Sequence, residues 1–293
     1  MNNTLPKRTL GKTELEVTQL GYGTAIPELM RTPIGDKHAE KLLNAVLDEG
    51  INFIDTAPDY GVSEDQIGKF ISHRRDEFYL ATKCGCVGDT WTPGHNWTSD
   101  QLLSNIDSSL RRMKTDQVDI LQMHNPTVED VLENGLIDTL QEIRSAGKTR
   151  FIGVSSGSPD LVQFADMGIF DVFQIPYSAL ERRHETMITH AANQGAGIII
   201  RGGIAQGDNN TKTLDKVNNT WSHALENITG DIARHEFVLR FTLTHPSCHT
   251  TIVGTGKLDH LSTNIQSALT GPLNADLYET AKQRLTDSGE TPE

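Results

Sequence analysis

The chain carries 293 residues, with 26 Lys plus Arg against 39 Asp plus Glu and a formal net charge of −13. That acidic balance argues against nucleic acid or an anionic membrane surface as a partner, because both call for a basic face. Three cysteines are too few for a disulfide scaffold, and the lack of an apolar leader or of a long apolar run predicts a cytoplasmic protein that does not span a membrane.

Residues 8–17 read as a hairpin turning at Gly11-Lys12. A first short apolar run covers 19–22. A helical pattern follows at 38–48, with Leu42, Leu43, Val46 and Leu47 on one face and Gly50 as its stop. The runs 52–54 and 78–82 lead to a helix at 99–113, opened by Thr98 or Ser99 as cap. The run 118–123 precedes a helical pattern over 129–146, and 151–154 and 172–175 precede a helix at 187–193. The runs 197–200 and 251–253 and a helix at 258–269 complete the series. Short apolar runs alternating with amphipathic stretches indicate buried parallel strands, in a closed barrel or a doubly wound sheet. Gly21-Tyr22-Gly23 lacks the third glycine of a dinucleotide fingerprint, and this length suits a barrel. The expectation is one domain over 1–293, a (β/α)8 TIM barrel whose N-terminal hairpin caps the floor.

Barrel enzymes carry their catalytic groups at the C-terminal ends of the strands. Asp55 ends the second run, with Tyr60 five residues on; Lys83 ends the third and His124 the fourth. Each has an ordinary structural reading: a helix cap, a packed ring, a solvated ammonium, a structural imidazole. Four titratable groups at successive strand ends point to one chemical site.

The segment Asn52-Phe53-Ile54-Asp55-Thr56-Ala57-Pro58-Asp59-Tyr60-Gly61 resembles the signature of the aldo-keto reductase family. Thr82-Lys83 and Gln122-Met123-His124 stand at that family's other two catalytic positions, and Gly153-Val154-Ser155-Ser156 and Gln174 resemble its later strand ends. The resemblance implies carbonyl reduction with a nicotinamide cofactor, NADP(H) more than NAD(H). By it, Tyr60 is the general acid, Lys83 lowers its pKa, Asp55 partners Lys83, and His124 orients the carbonyl. A phenol has a pKa near ~10, so a neighbouring ammonium suits this role.

For the cofactor, the resemblance implies Gly23, Thr24 and Asp55, then Ser155, Ser156 and Gln174 at the carboxamide. Ser156 stands where the family more often has Asn. Arg201 replaces the family's stacking aromatic, and a planar guanidinium stacks too, an ion pair on the rim being the alternative. Gly202, Gly203 and Gly207 let the backbone approach the pyrophosphate. Gly254-Thr255-Gly256-Lys257 resembles the adenosine-phosphate loop ahead of a helix. Many members carry Lys at the position of Gly254 and Arg at that of His260, which leaves Lys257 and His260 for the 2′-phosphate and Asn264 for the adenine.

The loops after the first and third runs supply Met30, Trp91 and Trp97 as substrate-pocket residues, with His95 beside them. The polar insertion 211–227 either folds over the cofactor or lies idle in solvent. Cys84-Gly85-Cys86 has no clustered partner in sequence, so no metal is expected. The partner is then a small-molecule carbonyl or alcohol, with the oligomeric state open. Two further readings are a nicotinamide-binding sensor with little turnover and a Schiff-base lyase using Lys83.

Overall fold

A computed structural model describes residues 4–31, 36–87, 94–204 and 218–293. Gly207 and Trp91 lie outside the described residues, as do parts of the loops after the first, third and seventh barrel strands. Strands β1 (Lys7–Thr9) and β2 (Glu16–Thr18) pair antiparallel through a 3-10 turn at Gly11–Thr13. Gly11 has φ +52°, and a Cβ there would collide with the backbone at Gly195–Gly197, so this turn demands glycine.

Eight parallel strands then close a barrel: β3 (Leu20–Gly23), β4 (Phe53–Asp55), β5 (Tyr79–Cys84), then, past the hairpin strands β6 (Cys86–Val87) and β7 (Gly94–His95), β8 (Val118–His124), β9 (Thr149–Ser155), β10 (Val172–Pro176), β11 (Gly197–Arg201) and β12 (Thr250–Val253), which pairs back onto β3. The expected barrel is the observed one. Leu10, Leu15 and Val17 of the N-terminal hairpin join Phe53, Ala81, Ile120, Val172 and Ile199 in one apolar cluster. The hairpin therefore plugs the floor, and each plugging side chain contributes about 1.5–3 kcal/mol by leaving water. A larger apolar shell lies between the strands and the helices, where Leu42, Leu43 and Val46 of α2 (Asp36–Asp48) and Leu102 and Ile106 of α4 (Ser99–Met113) are fully buried.

The short helices α1 (Pro27–Met30) and α3 (Ser63–Phe70) follow the first two barrel strands. The helical pattern at 129–146 is two helices, α5 (Val128–Glu133) and α6 (Leu136–Ser145). Gly135 between them adopts φ +60°, a left-handed conformation that ends one helix and starts the next. Further on lie α7 (Leu161–Asp166), α8 (Glu185–Asn193), α9 (Arg234–Thr244), α10 (Leu258–Thr270) and α11 (Ala275–Asp287). The sequence reading did not single out α3, α7, α9 or α11. A signal for α11 was present: Asn274 Oδ1 accepts from Leu277 N at 2.8 Å, a capping residue. No helix among the described residues is long and apolar enough to cross a membrane.

Candidate active site

The four strand-end groups meet at one mouth of the barrel. Lys83, near the end of β5, is fully buried and donates to Asp55 Oδ2 at 2.7 Å and to the Thr56 carbonyl at 2.9 Å. Its ammonium lies 4.8 Å from the centre of the Tyr60 ring. The Tyr60 and His124 rings approach edge to face at 6.1 Å. Tyr60 is half-buried, so its ring is reachable from the mouth.

Asp55 is held by more than Lys83. Its Oδ1 accepts from Gln122 Nε2 at 3.0 Å and from Gln174 Nε2 at 2.7 Å, and Gln174 Oε1 accepts from Ser155 Oγ at 2.8 Å. Three strands thus converge on one carboxylate. Burial alone would depress the Lys83 pKa, but Asp55 and Tyr60 outweigh it and the net shift is upward. Lys83 is placed as a hydrogen-bond donor to Asp55 and the Thr56 carbonyl. Burial pushes the Tyr60 phenol up, with the Lys83 ammonium as the main opposing influence. The ammonium acts on the phenol in the expected downward direction, against the upward push of burial.

His124 contacts two groups that sequence reasoning missed. Its Nδ1 lies 3.4 Å from Asp59 Oδ2 and 3.4 Å from Cys86 Sγ. Burial raises the Asp59 pKa, but its hydrogen bond to His124 and the His124 and Lys83 charges bring the net shift down. Asp59 sits inside the Asp55–Tyr60 motif, so its presence was legible; its partner was not.

The residues expected to hold the cofactor lie on the later strand ends and the loops that follow them. Thr24 is buried, and both its N–H and its hydroxyl bond the Asp55 carbonyl at 3.0 Å, so it braces β4. Ser156 Oγ accepts from Ser158 N at 3.0 Å, capping its own turn. Gln122 Oε1 is buried without a hydrogen-bond partner among the described residues, and its amide nitrogen shares Asp55 Oδ1 with Gln174. An acceptor in that position fits the donors of a planar carboxamide. The Arg201 guanidinium ends β11; burial lowers its pKa, and the nearby Tyr60 and Glu181 oppose that. Gly202 has φ +70° and open space above its Cα, which suits close approach. At Gly203 a Cβ would strike the Thr251 hydroxyl and crowd Thr242, so packing against β12 and α9 also requires a glycine here.

The phosphate-type loop is braced from beneath. Tyr22 donates to the Thr255 carbonyl at 2.7 Å, and His38 Nε2 lies 2.7 Å from the Gly256 carbonyl. A Cβ at Gly254 would stand 2.7 Å from the Gly23 carbonyl oxygen, so a longer residue there has no room. The carboxyl of Glu28, missed in sequence, occupies the space a Cβ at Gly256 would take. Lys257 and His260 are exposed around the start of α10, and Asn264 is buried on its inner face.

Met30 closes α1, and its carbonyl accepts from Val62 N at 3.3 Å, which ties it to the Tyr60 loop. Trp97 lies flat on Gly85, whose φ is +86°, and stacks on His95 at 5.5 Å and 4°. Trp97 therefore anchors its loop while bordering the mouth. Within the insertion, Trp221 is buried edge-on against Phe237 at 5.7 Å; residues 211–217 are outside the described set.

A family model described as "Aldo/keto reductase family" matches residues 19–284. The uncharacterized oxidoreductase YqkF of Bacillus subtilis is 27% identical over 283 residues, 89% of this chain and 90% of its own. The NADH-specific methylglyoxal reductase of Escherichia coli is 28% identical over 67% of this chain and 66% of its own. The holo form of aldo-keto reductase AKR11C1 from Bacillus halodurans is similar in structure, with a TM-score of 0.84, 26% identity and 96% of each chain covered.

Proposed function

The chain belongs to the aldo/keto reductase family and is an NAD(P)-dependent oxidoreductase that interconverts carbonyls and alcohols; within that chemistry we propose Tyr60 as the group that passes the proton. The observation that carries this is the buried Lys83–Asp55 pair at 2.7 Å with the Lys83 ammonium 4.8 Å from the Tyr60 ring. A bound nicotinamide supplies or accepts the hydride.

The chain's own residues do the rest. Tyr60 donates its phenolic proton to the carbonyl oxygen as that oxygen gains charge. Lys83 stabilises the phenolate left behind, and Asp55 keeps the ammonium charged in a buried setting. His124 orients the same oxygen, its ring held by Asp59. In the oxidative direction Tyr60 takes the proton back. Ser155, Ser156 and Gln174 would hold the carboxamide of the bound cofactor, and Arg201 would offer a planar guanidinium to the nicotinamide ring. The substrate is a small aldehyde or ketone bordered by Met30 and Trp97.

For the second cofactor determinant we keep NADP(H) ahead of NAD(H). Lys257 and His260 are cationic or hydrogen-bonding candidates for the 2′-phosphate, and Asn264 for the adenine. Glu28 acts against a phosphate at the neighbouring Gly256, and one relative is NADH-specific by name.

The test is an aldehyde panel with NADPH and NADH, on the wild-type protein and Tyr60→Phe. The variant is expected to lose roughly 10²–10⁴ in rate, the usual weight of a positioned acid, while binding the cofactor normally. A variant that keeps its rate removes Tyr60 from this role. Cofactor binding with no turnover in the wild type supports the sensor reading instead.

A further inference from the structure

From the barrel mouth we infer a binding site for one thiophilic divalent cation, best filled by Zn²⁺, formed by Cys86, His95 and His124, whose occupancy shuts the reductase. The clause on activity rests on the proposed role of His124; the site itself does not.

One donor atom from each of the three residues lies within 4.8 Å of the others. Cys86 Sγ and His124 Nδ1 are already 3.4 Å apart. Zinc bonds of ~2.3 Å to sulfur and ~2.1 Å to nitrogen at a tetrahedral angle place S and N about 3.5 Å apart, so this pair needs almost no rearrangement. His95 supplies the third corner. Its ring meets the His124 ring edge to face at 5.3 Å, and it rides on the two-residue strand β7, which among the described residues pairs only with β6. A shift of about an ångström in that exposed hairpin completes three-coordinate protein ligation and leaves one position for water, as open zinc sites have.

The surroundings favour a soft cation. Thiolate and imidazole are the ligands zinc selects. The Asp59 carboxylate, 3.4 Å from the same His124 Nδ1, supplies negative charge nearby. Cys86 is nearly covered by protein, whereas His95 is exposed, so entry is from the solvent side. On binding, the Cys86 thiol loses its proton to solvent, the S–H bond is replaced by a sulfur–metal bond, and no oxidant or reductant is needed. The sequence spacing Cys84-Gly85-Cys86 hid this cluster, because His124 comes from β8 and His95 from across the hairpin. Occupancy pins the His124 ring to the hairpin through His95 and Cys86, which takes from the carbonyl oxygen the ring proposed to orient it.

The test uses untagged full-length protein and Co²⁺ as an optical stand-in, followed by Zn²⁺. One equivalent of Co²⁺ is expected to produce a thiolate-to-cobalt charge-transfer band that Zn²⁺ displaces. Cys86→Ser abolishes the band, and Cys84→Ser, at a fully buried thiol outside the cluster, keeps it. His95→Ala weakens binding by tenfold or more. Zn²⁺ inhibits turnover over the same concentration range, a chelator restores it, and Cys86→Ser resists it. A missing band, or equal affinity in Cys86→Ser with its melting temperature retained, overturns the site. A band with no change in turnover overturns the inhibitory half only, and neither result bears on Tyr60, which the aldehyde panel tests separately.

Discussion

The Lys83 ammonium and the Asp55 carboxylate stand 2.7 Å apart with side chains 0% and 2% exposed. The pair is fully desolvated, so its two charges depend on each other. A third contact, Gln174 Nε2 to Asp55 Oδ1, ties it to the far side of the barrel. This one carboxylate links the residues proposed for proton transfer to those proposed to hold the cofactor.

Asp55→Asn leaves the Lys83 charge buried without its partner. Breaking a buried pair in this way costs about 3–5 kcal/mol. The expected outcome is a lower denaturation midpoint together with loss of turnover. Burial then meets only the weaker opposition of Tyr60 at Lys83, so its pKa falls. In the wild type the shift is upward, so the pair's contribution to stability is complete below the ordinary lysine value of 10.5 and is lost as pH rises through the folded value. Chemical denaturation of both proteins from pH 7 to pH 11 checks this.

The upward shift of Tyr60 sets the pH dependence of the two directions. Reduction requires the phenol and is expected to run flat through neutral pH, falling only above about pH 10, the ordinary phenol value. Oxidation requires the phenolate and is expected to climb toward alkaline pH. Steady-state pH profiles in both directions measure this, and a reduction rate that falls below pH 8 rules out Tyr60 as the acid.

Glu28 places a carboxyl in the loop that the phosphate-binding reading assigns to the cofactor. Glu28→Gln removes a like charge at similar size. At an effective dielectric near 20 such a charge is worth on the order of 1 kcal/mol or more, hence roughly a fivefold gain in affinity. The gain is expected to be larger for NADPH than for NADH. Fluorescence titration with both cofactors decides it, and equal gains place Glu28 at the pyrophosphate instead.

Two histidines near the barrel floor predict acid sensitivity. Burial pushes His245 and His249 down to about 4, with the Arg8 charge adding to the effect in both. His249 Nδ1 accepts from Ile198 N at 2.9 Å, a bond only the unprotonated nitrogen makes. The unfolded chain binds these protons at its ordinary value of 6.5, so stability is complete above that pH and is lost as pH falls toward 4. His249→Asn is expected to flatten the slope of unfolding free energy between pH 6.5 and pH 4, as read by denaturant titration at each pH.

Much of this was legible from one dimension. Apolar runs bounded by turn residues mark buried strands, and barrel enzymes carry their chemistry at the C-terminal ends of those strands. Asp55, Lys83 and His124 were therefore located by local pattern alone. Helix limits were less legible where a single backbone angle decides, as at Gly135 with φ +60°. A glycine in sequence does not say whether space or conformation requires it: Gly203 is demanded by packing against Thr251, Gly202 by its positive φ.

By itself, the sequence determined the alternation of strand and helix, the N-terminal hairpin and the residue types offered at each strand end, because these follow from periodicity and chain order. Only the tertiary structure decided which of them share a charge, a hydrogen bond or a ligand sphere. Gln174 reaches Asp55 across 119 residues, and His38 reaches the Gly256 carbonyl across 218. Closing the barrel brings such groups within 3 Å, and no local pattern encodes a contact between side chains whose separation is set by the closure of the whole sheet.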